Sequence, residues 1–550
     1  MTRIYTLFYI LFFVTSLSAQ SAEQLTVHFD KPFYVSGENI WYKIYFGIPV
    51  DSMKSKVVRI ELINSNGAKV IQQKIQIKDN YALGDMTLPY DWKEGNYLFR
   101  AYTLWSLNFG ETTLFEKIIP IYNLLETTKT LSYLSKDDFI IIQNQKAKAS
   151  SLEIVAQLNK PSYTKNEIVE LQLSVKDKKR AVLPAHISIA VTDGNYLPNN
   201  NVQLSSFSEQ GKIIGVPSFQ AEQNLQLYAT LQDGKRQPVT TQFLSLYFPE
   251  LGAFKSTKIE KGNLKTPLPN FYENQVIQVF DFNPFHDPLP TIQLQDLSPT
   301  ITYRGVPTQR DNTVENYLYH LSLYRQYQET FKMPSLIYPS IPSINRNIWQ
   351  PDEHFDIADY NSLPDVVAFA DEALIKARMI TKKGQLTLRL PYENNKILHK
   401  KPPWYLYNNW MTLESPAILK TPLRAIETID IYNNSQTISQ YLDPALVRTG
   451  VFAIYTKDGK TPKTIIDQPN NKTITGYYYP RTFTSPTLQE KVPYFPPLIY
   501  WNGQVETDAT GKATVQFNTS SSIGRHIISV VVGTQRGTLE ETNVTYLVVN

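Results

Sequence analysis

Residues 30–46 read DKPFYVSGENIWYKIYF and combine a turn with a strand. Pro32 fixes its own φ and disfavours the helical conformation at Lys31, so the chain enters this segment extended. Gly37 permits a tight turn because it has no Cβ. After the turn every second residue is apolar and shares one face of a strand: these residues are Ile40, Tyr42, Ile44 and Phe46. The segment therefore predicts a strand, a turn and a second strand.

A second copy of this pattern begins at Asn159 and reads NKPSYTKNEIV. Five positions correspond to those of the first copy: Lys160, Pro161, Tyr163, Glu167 and Val169 repeat Lys31, Pro32, Tyr34, Glu38 and Ile40. A repeated unit of this kind predicts tandem β-sandwich modules.

The first copy, written K-P-x-Y-x-x-G-E-x-(apolar)-W, resembles the opening strands of macroglobulin-type domains in the alpha-2-macroglobulin superfamily. The continuation fits this resemblance: VRIELI at residues 58–63 precedes a turn at 64–67, and WKEGNYLFRAY at 92–102 is similar to the family's return strand. Residues 500–517 are similar to late modules of bacterial macroglobulin-like proteins. The alternative is an unrelated immunoglobulin-like sandwich, because turns of this chemistry recur in many sandwiches.

Composition limits the class of protein. The chain has 550 residues, 35 Pro and 12% aromatic residues, which favours strands separated by rigid loops. Its net charge of +4 mixes both signs without a basic tract, so nucleic-acid binding is not indicated. The absence of Cys excludes disulfides, thiol catalysis, thiolate metal sites and the thioester by which some macroglobulins trap proteases covalently.

The N-terminus has the three parts of a secretory signal peptide. Arg3 is basic, residues 4–14 are apolar, and the small residue Ala19 marks the expected cleavage site. The apolar run is short for a bilayer span, which needs about 20 residues. We therefore expect an exported protein, periplasmic or associated with the outer membrane, with no transmembrane segment after signal removal.

Shifts in composition and period predict the domain organisation. After the signal peptide at 1–19, we expect a macroglobulin-type sandwich at 23–125, a second one with long loops at 150–310, an amphipathic helix and Pro-rich linker at 311–350, an α/β domain at 351–462 and a C-terminal sandwich at 480–550. Asn312 with Glu315 makes a cap-like start for the helix, and its aromatic stripe is typical of core packing. Segments 276–280 and 300–303 are predicted to be late strands of the second sandwich or of a third.

The α/β domain contains a second resemblance. LRAIETIDIY at 423–432 and TGVFAIYTKDG at 449–459 are similar to two strands of the plug domain of TonB-dependent outer-membrane receptors. The chain departs from that family at 441–443, where the family has a Y-G turn. Of the 550 residues, those after Gly459 are too few for a membrane barrel. The resemblance thus implies a plug-like domain without its barrel, and the fold class is mainly β: tandem immunoglobulin-like, macroglobulin-type sandwiches plus one small α/β plug-like domain.

Chemistry-bearing residues are sparse, and we predict no catalytic, cofactor-binding or metal site. The sequence contains no G-x-S-x-G, G-x-G-x-x-G or P-loop motif. The carboxylate-rich segment 352–359 includes His354 but lacks metal-ligand spacing, so it is interpreted as a solvated linker leading into a helix. His286 next to Asp287 is interpreted as part of a turn, and the Glu540–Glu541 pair has no assignable role.

The function predicted from these features is binding rather than catalysis. We expect an exported cell-envelope scaffold whose partner is a protein, such as an outer-membrane barrel or an envelope complex, and which acts as an accessory of an outer-membrane transporter or export complex. Two alternatives remain: a steric macroglobulin-type protease inhibitor without a thioester, with residues 193–217 as its bait loop, or a carbohydrate-binding module. The strands around Tyr34–Tyr45 and Ile426–Thr456 are predicted to organise the structure.

Overall fold

The structure is a computed structural model that describes residues 21–110, 113–125, 152–179, 181–198, 217–233, 236–238, 241–281, 291–305, 307–331, 348–360, 362–382, 384–392, 397–445, 447–484 and 493–550. The predicted signal peptide at 1–19 lies outside these residues. The chain divides into two compact units, one formed by Met1–Gln223, Pro299–Pro339 and Pro480–Asn550, the other by Asn224–Ser298 and Ser340–Tyr479. In the described ranges, no helix is both long and apolar enough to cross a bilayer.

The strands are, in chain order, β1 (Leu25–Phe29), β2 (Tyr34–Val35), β3 (Asn39–Phe46), β4 (Val57–Ile63), β5 (Lys69–Gln76), β6 (Tyr81–Thr87), β7 (Gly95–Tyr102), β8 (Phe115–Tyr122), β9 (Leu152–Leu158), β10 (Ser162–Thr164), β11 (Ile168–Asp177), β12 (Ala185–Asp193), β13 (Gln226–Gln232), β14 (Thr241–Phe248), β15 (Ala253–Glu260), β16 (Asn263–Pro267), β17 (Asn274–Asp281), β18 (Thr291–Leu294), β19 (Glu353–Asp356), β20 (Arg378–Lys382), β21 (Gln385–Arg389), β22 (Trp404–Tyr407), β23 (Trp410–Thr412), β24 (Ile426–Tyr432), β25 (Val451–Thr456), β26 (Asn471–Thr475), β27 (Leu498–Glu506), β28 (Lys512–Asn518), β29 (Gly524–Thr534) and β30 (Leu539–Val549). The α-helices are α1 (Asn312–Thr330), α2 (Val366–Ala373), α3 (Ser415–Leu419), α4 (Ser435–Tyr441) and α5 (Lys463–Ile466). Strands predominate, which confirms the predicted, mainly β fold class.

The first sandwich pairs a three-stranded sheet, β1-β3-β6, with a five-stranded sheet, β2-β8-β7-β4-β5. Between the sheets, the Phe99 ring lies 4.8 Å from Phe29 and 5.2 Å from Tyr42, measured between ring centroids. The alternation in β3 predicted one buried face, but residues 40–46 are buried on both faces. The second face, which carries Trp41, Lys43 and Tyr45, is covered by the neighbouring sandwich of the same unit.

The second sandwich is assembled from two distant stretches of the chain. Its sheets are β28-β11-β9 and β10-β30-β29-β12-β27, so strands from residues 152–193 pair with strands from residues 498–549. This differs from the predicted division into a second sandwich at 150–310 and a separate C-terminal sandwich at 480–550. The alternating pattern of a strand specifies its buried face but not the strand with which it pairs. The second compact unit is therefore an insertion within the chain of this sandwich.

The second unit contains a seven-stranded sheet, β18-β13-β16-β15-β14-β17-β26, and a five-stranded mixed sheet, β19-β24-β25-β22-β23. In the mixed sheet, β22 runs parallel to β25, whereas β24 is antiparallel to β25. Helices α2 and α3 pack on one face of the mixed sheet. On the other face, Trp404 packs against Phe280 of the seven-stranded sheet, at 4.9 Å between ring centroids. Of the two predicted late strands, 276–280 lies in β17, whereas 300–303 is not a strand.

Helix α1 matches its predicted position closely. The residue that caps it is Asp311, whose carboxylate accepts a hydrogen bond from Val314 N at 2.9 Å, and not the predicted Asn312. The predicted stripe is buried in the first unit from Val314 to Tyr324, where Tyr317 packs edge-on against Phe33 with 5.0 Å between ring centroids, whereas Phe331 at its end is 46% exposed. The first three turns of the stripe are thus part of a hydrophobic core, as its helical period predicted.

Candidate functional site

The first Lys-Pro-x-Tyr turn is organised around the buried carboxyl group of Asp30. Its Oδ1 accepts hydrogen bonds from the Tyr34 hydroxyl at 2.6 Å and from Trp41 N at 2.9 Å. The Tyr34 hydroxyl in turn accepts a hydrogen bond from Lys31 N at 3.3 Å. These bonds connect the residue before the turn with the strand after it, so the sequence pattern corresponds to a defined hydrogen-bond network.

Glu38 closes the same turn and links it to helix α1. One carboxylate oxygen lies 2.5 Å from Lys31 Nζ and the other accepts a hydrogen bond from Val35 N at 2.8 Å. The Tyr317 hydroxyl of α1 donates to Glu38 Oε1 at 2.7 Å, and Lys31 Nζ donates to the Tyr317 oxygen at 3.1 Å. The ion pair is therefore buried beneath the helix and hydrogen bonded on several sides.

The second copy of the turn repeats this geometry. Asn159 Oδ1 accepts hydrogen bonds from the Tyr163 hydroxyl at 2.5 Å and from Glu170 N at 3.2 Å. Lys160 N donates to the Tyr163 oxygen at 3.2 Å, and the Lys160 side chain pairs with Glu167. Here Lys160 is 52% exposed, because the turn lies at the surface of its unit. The two copies thus share their bonds but differ in burial.

This difference in burial changes the electrostatics of the first turn. Burial raises the pKa of Asp30 to about 7, against the lowering effect of the nearby Lys31 ammonium and of the hydrogen bond from Tyr34. In the described structure the second carboxyl oxygen of Asp30 has no hydrogen-bond partner. At the equivalent position the second turn has the neutral amide of Asn159, so the geometry does not require a charge at this site.

A second polar cluster lies between the two sandwiches of the first unit. The Tyr45 hydroxyl contacts Ser188 Oγ at 2.6 Å and donates to Val531 O at 3.0 Å. His28 Nδ1 also lies 2.6 Å from Ser188 Oγ, and its Nε2 lies 3.3 Å from Ser529 Oγ. Side chains of β1 and β3 therefore reach directly into the sheet that contains β12 and β29.

Lys43 is fully buried at the centre of this cluster. Its ammonium nitrogen lies 3.2 Å from Ile187 O and above the rings of Tyr45 and Tyr81, at 5.0 and 4.4 Å from their centroids. Burial lowers the pKa of Lys43 well below its usual value, and the more distant Glu506 opposes this only in part.

Two buried histidines flank Lys43. His186 stacks on Tyr45, and its Nε2 lies 2.8 Å from Asn80 Oδ1. Burial, assisted by nearby lysines, lowers the pKa of His186 to about 2 and that of His28 to about 3. Both imidazoles are therefore neutral in the folded protein at neutral pH.

Ser520 and His526 lie within hydrogen-bond distance, as a catalytic serine and histidine would, but the pair supports no catalytic assignment. Ser520 Oγ lies 3.0 Å from His526 Nε2, and both residues are completely buried. The other ring nitrogen lies 3.2 Å from Gly524 O, not from a carboxylate, whereas the Asp193 carboxylate accepts a hydrogen bond from Asn195 N at 3.0 Å. A catalytic base needs an orienting partner and a serine that substrate can reach. This pair is therefore described only as a buried hydrogen-bond contact within the second sandwich.

The residues that the sequence singled out are not brought together into one site. Segment 352–359 forms β19 and a 3-10 helix, and not the predicted linker, because Phe355 packs on the core beneath it. His354 Nδ1 lies 2.6 Å from Asp430 Oδ1 of the adjacent strand. Within the described ranges, no group of three or more His, Asp or Glu could hold a metal ion. His286, Asp287 and most of the predicted bait loop, residues 199–216, lie outside the described residues.

The buried cluster around Lys43 was missed by sequence reasoning. Lysine and histidine at alternate positions of a strand usually indicate a solvated face. The available signal was that Trp41 and Tyr45 share that face of β3 with Lys43. Two large aromatic residues beside a lysine indicate that the face is covered.

No protein-family model and no curated protein matches the chain. Among solved structures, the chain is similar to Salmonella alpha-2-macroglobulin reacted with methylamine, with 9% identity and a TM-score of 0.25 over 97% of this chain and 40% of that one. It is also similar to Escherichia coli alpha-2-macroglobulin activated by porcine elastase, with 9% identity and a TM-score of 0.25 over 96% and 44%. A DUF4785 family protein from Legionella pneumophila has 10% identity and a TM-score of 0.14 over 50% and 57%.

The chain spans less than half the length of these bacterial macroglobulins. TM-scores this low do not establish a common fold, so the sandwich architecture rests on the sheet pairing described above. The resemblance to the TonB-dependent receptor plug is not shown by these structures and stays a prediction.

Proposed function

We propose that this chain is a non-enzymatic, exported cell-envelope scaffold that binds a protein partner through a sheet edge. The observation that carries the proposal is the position of β9 at the edge of the sheet β28-β11-β9, where residues 153–158 pair with β11 and with no second strand among the described residues. A strand with one unpaired side offers backbone N–H and C=O groups to an extended segment of another chain.

The composition of β9 leaves it less protected than two other edge strands, β5 and β28. Proteins commonly protect an exposed edge with lysine. The edge strand β5 contains Lys69 and Lys74, and the edge strand β28 begins with Lys512. Strand β9 reads LEIVAQL without any lysine, and Val155 at its centre is 48% exposed. This edge is therefore the least protected of the three against pairing with another strand.

The proposed partner is an outer-membrane barrel or an envelope complex, and the chain would act as an accessory of an outer-membrane transporter or export complex. Two sequence features support this location: the signal-like residues 1–19 and the plug-like strands at 423–432 and 449–459. In the structure these plug-like segments form β24 and β25, adjacent and antiparallel in the mixed sheet.

The test is a pull-down of the tagged mature chain from detergent-solubilised envelope, with bound proteins identified by mass spectrometry. The variant Val155→Lys adds a charge to the β9 edge, whereas Gln172→Lys adds the same charge to an exposed position of the central strand β11. We expect a specific barrel or envelope protein to co-purify with the wild-type chain and with Gln172→Lys, but not with Val155→Lys. Equal retention by both variants would exclude the β9 edge. Recovery of the wild-type chain alone from the soluble periplasmic fraction would refute the accessory role.

A further inference from the structure

The interface between the two sandwiches of the first unit encloses three side chains that can each carry a positive charge. His28 and His186 come from opposite sides of the interface, and Lys43 lies between them in β3, opposite His28 in the strand register. All three side chains are buried, and their hydrogen bonds are to hydroxyl, amide and carbonyl groups. If the imidazoles became protonated, positive charges would be enclosed together away from water.

The charged groups that act most strongly on the two imidazoles are lysines, although Glu506 is the register partner of His186 in the β12–β27 pair and acts on Lys43. His28 faces Ser188, Ser529 and Trp501 across the interface, and the nearby charged groups that act on it are Lys43 and Lys117. His186 faces Asn80, Tyr45 and Tyr81, and the charges that act on it are Lys43 and Lys78. Every one of these charges is positive.

The nearby carboxylates lie at the edge of the interface and interact with lysines there. Glu506 lies 3.5 Å from Lys78, and both of these side chains are largely exposed. Glu541 acts on Lys117. Neither carboxylate is in hydrogen-bond contact with His28 or His186 in the contacts described above, so protonation of the imidazoles would be opposed by their surroundings.

We propose that this interface is an acid-sensitive latch, which holds the sandwiches together while both imidazoles are neutral and opens when they are protonated, each sandwich remaining folded. Opening exposes His28 and His186 to water, where they take up protons at the ordinary pKa of 6.5, whereas the closed state retains pKa values of about 3 and about 2. Between about pH 6 and pH 4 the open state therefore binds two more protons than the closed state.

Proton linkage makes this a quantitative statement. With two extra protons, the equilibrium constant for opening rises about 100-fold for each pH unit below about 6. With one imidazole replaced, the rise is about tenfold per unit, and with both replaced the contribution of the imidazoles disappears.

The experiment is a distance measurement between the sandwiches as a function of pH. Because the chain has no Cys, Gln72→Cys in β5 and Gln172→Cys in β11 provide two exposed and unique labelling sites for a fluorescent donor and acceptor. We expect energy transfer to fall between about pH 6 and pH 4 while the far-ultraviolet circular dichroism is retained. The double variant His28→Gln, His186→Gln should remain closed over that range, and each single variant should show the shallower slope.

A matched control separates the latch from general acid denaturation. His399→Gln replaces a buried histidine of the second unit and should leave the transition unchanged. The latch is refuted if energy transfer stays constant to about pH 4, if it falls together with the circular dichroism, or if the single glutamine variants retain the wild-type slope. The single variants keep the test decisive if the double variant does not fold.

Discussion

The two Lys-Pro-x-Tyr turns allow one substitution to be made twice in the same chain. Tyr34→Phe and Tyr163→Phe each delete a hydroxyl that donates to the side chain four residues earlier, at 2.6 Å to Asp30 and 2.5 Å to Asn159. Each also removes the acceptor for the following backbone N–H, that of Lys31 or Lys160. The local geometry is the same, and the difference lies in the access of water.

Burial determines how far each substitution is expected to lower the free energy of unfolding. Asp30 is completely buried. Without the Tyr34 hydroxyl, Asp30 Oδ1 keeps only the hydrogen bond from Trp41 N, and no water can replace the bond that is lost. Leaving a buried polar group unsatisfied costs about 1–3 kcal/mol, and the upper part of this range applies to a carboxyl group. Asn159 is exposed, so water replaces the lost hydroxyl and Tyr163→Phe should cost only about 0.5 kcal/mol.

The assay is equilibrium urea denaturation at neutral pH, combined with hydrogen exchange at the backbone amides of Lys31 and Lys160. We expect Tyr34→Phe to lower the free energy of unfolding of the first unit by about 2 kcal/mol more than Tyr163→Phe does. Equal losses from the two substitutions, or a larger loss from Tyr163→Phe, would refute the argument that burial decides the strength of this bond.

Two further predictions concern buried charges of the first sandwich. Arg100 Nε donates to Glu61 Oε2 at 2.9 Å, and both side chains are 2% exposed. Glu61→Gln should therefore lower the free energy of unfolding, measured by urea denaturation, by about 3–5 kcal/mol, whereas the double variant Glu61→Leu, Arg100→Met should recover most of that loss. A double variant as unstable as the single one would contradict this. Because burial raises the pKa of Asp30 from 3.8 to about 7, its contribution to stability is fully present below about pH 4 and is lost as the pH rises to about 7. Asp30→Asn should abolish this part of the pH dependence of the unfolding free energy, and an unchanged profile would show that Asp30 is ionised in the native fold.

The sequence was sufficient for features that depend on neighbouring residues. The turn around Pro32 and Gly37, the alternating strand β3 and the helical period of α1 all appear in the structure, because their conformations follow from local sterics and from the burial of one face. The repeat of Lys31, Tyr34 and Glu38 at Lys160, Tyr163 and Glu167 also corresponds to the same hydrogen bonds in both copies.

Features that depend on distant residues were decided by the tertiary structure. The pairing of β11 with β28 joins residues that are more than 300 positions apart, and an alternating pattern does not identify its partner strand. The burial of His28, Lys43 and His186 likewise exists only because one sandwich covers a face of the other. Whether such a side chain is solvated, and hence whether it is charged, is a property of the surface that packs on it, and that surface is formed by strands from the other end of the chain.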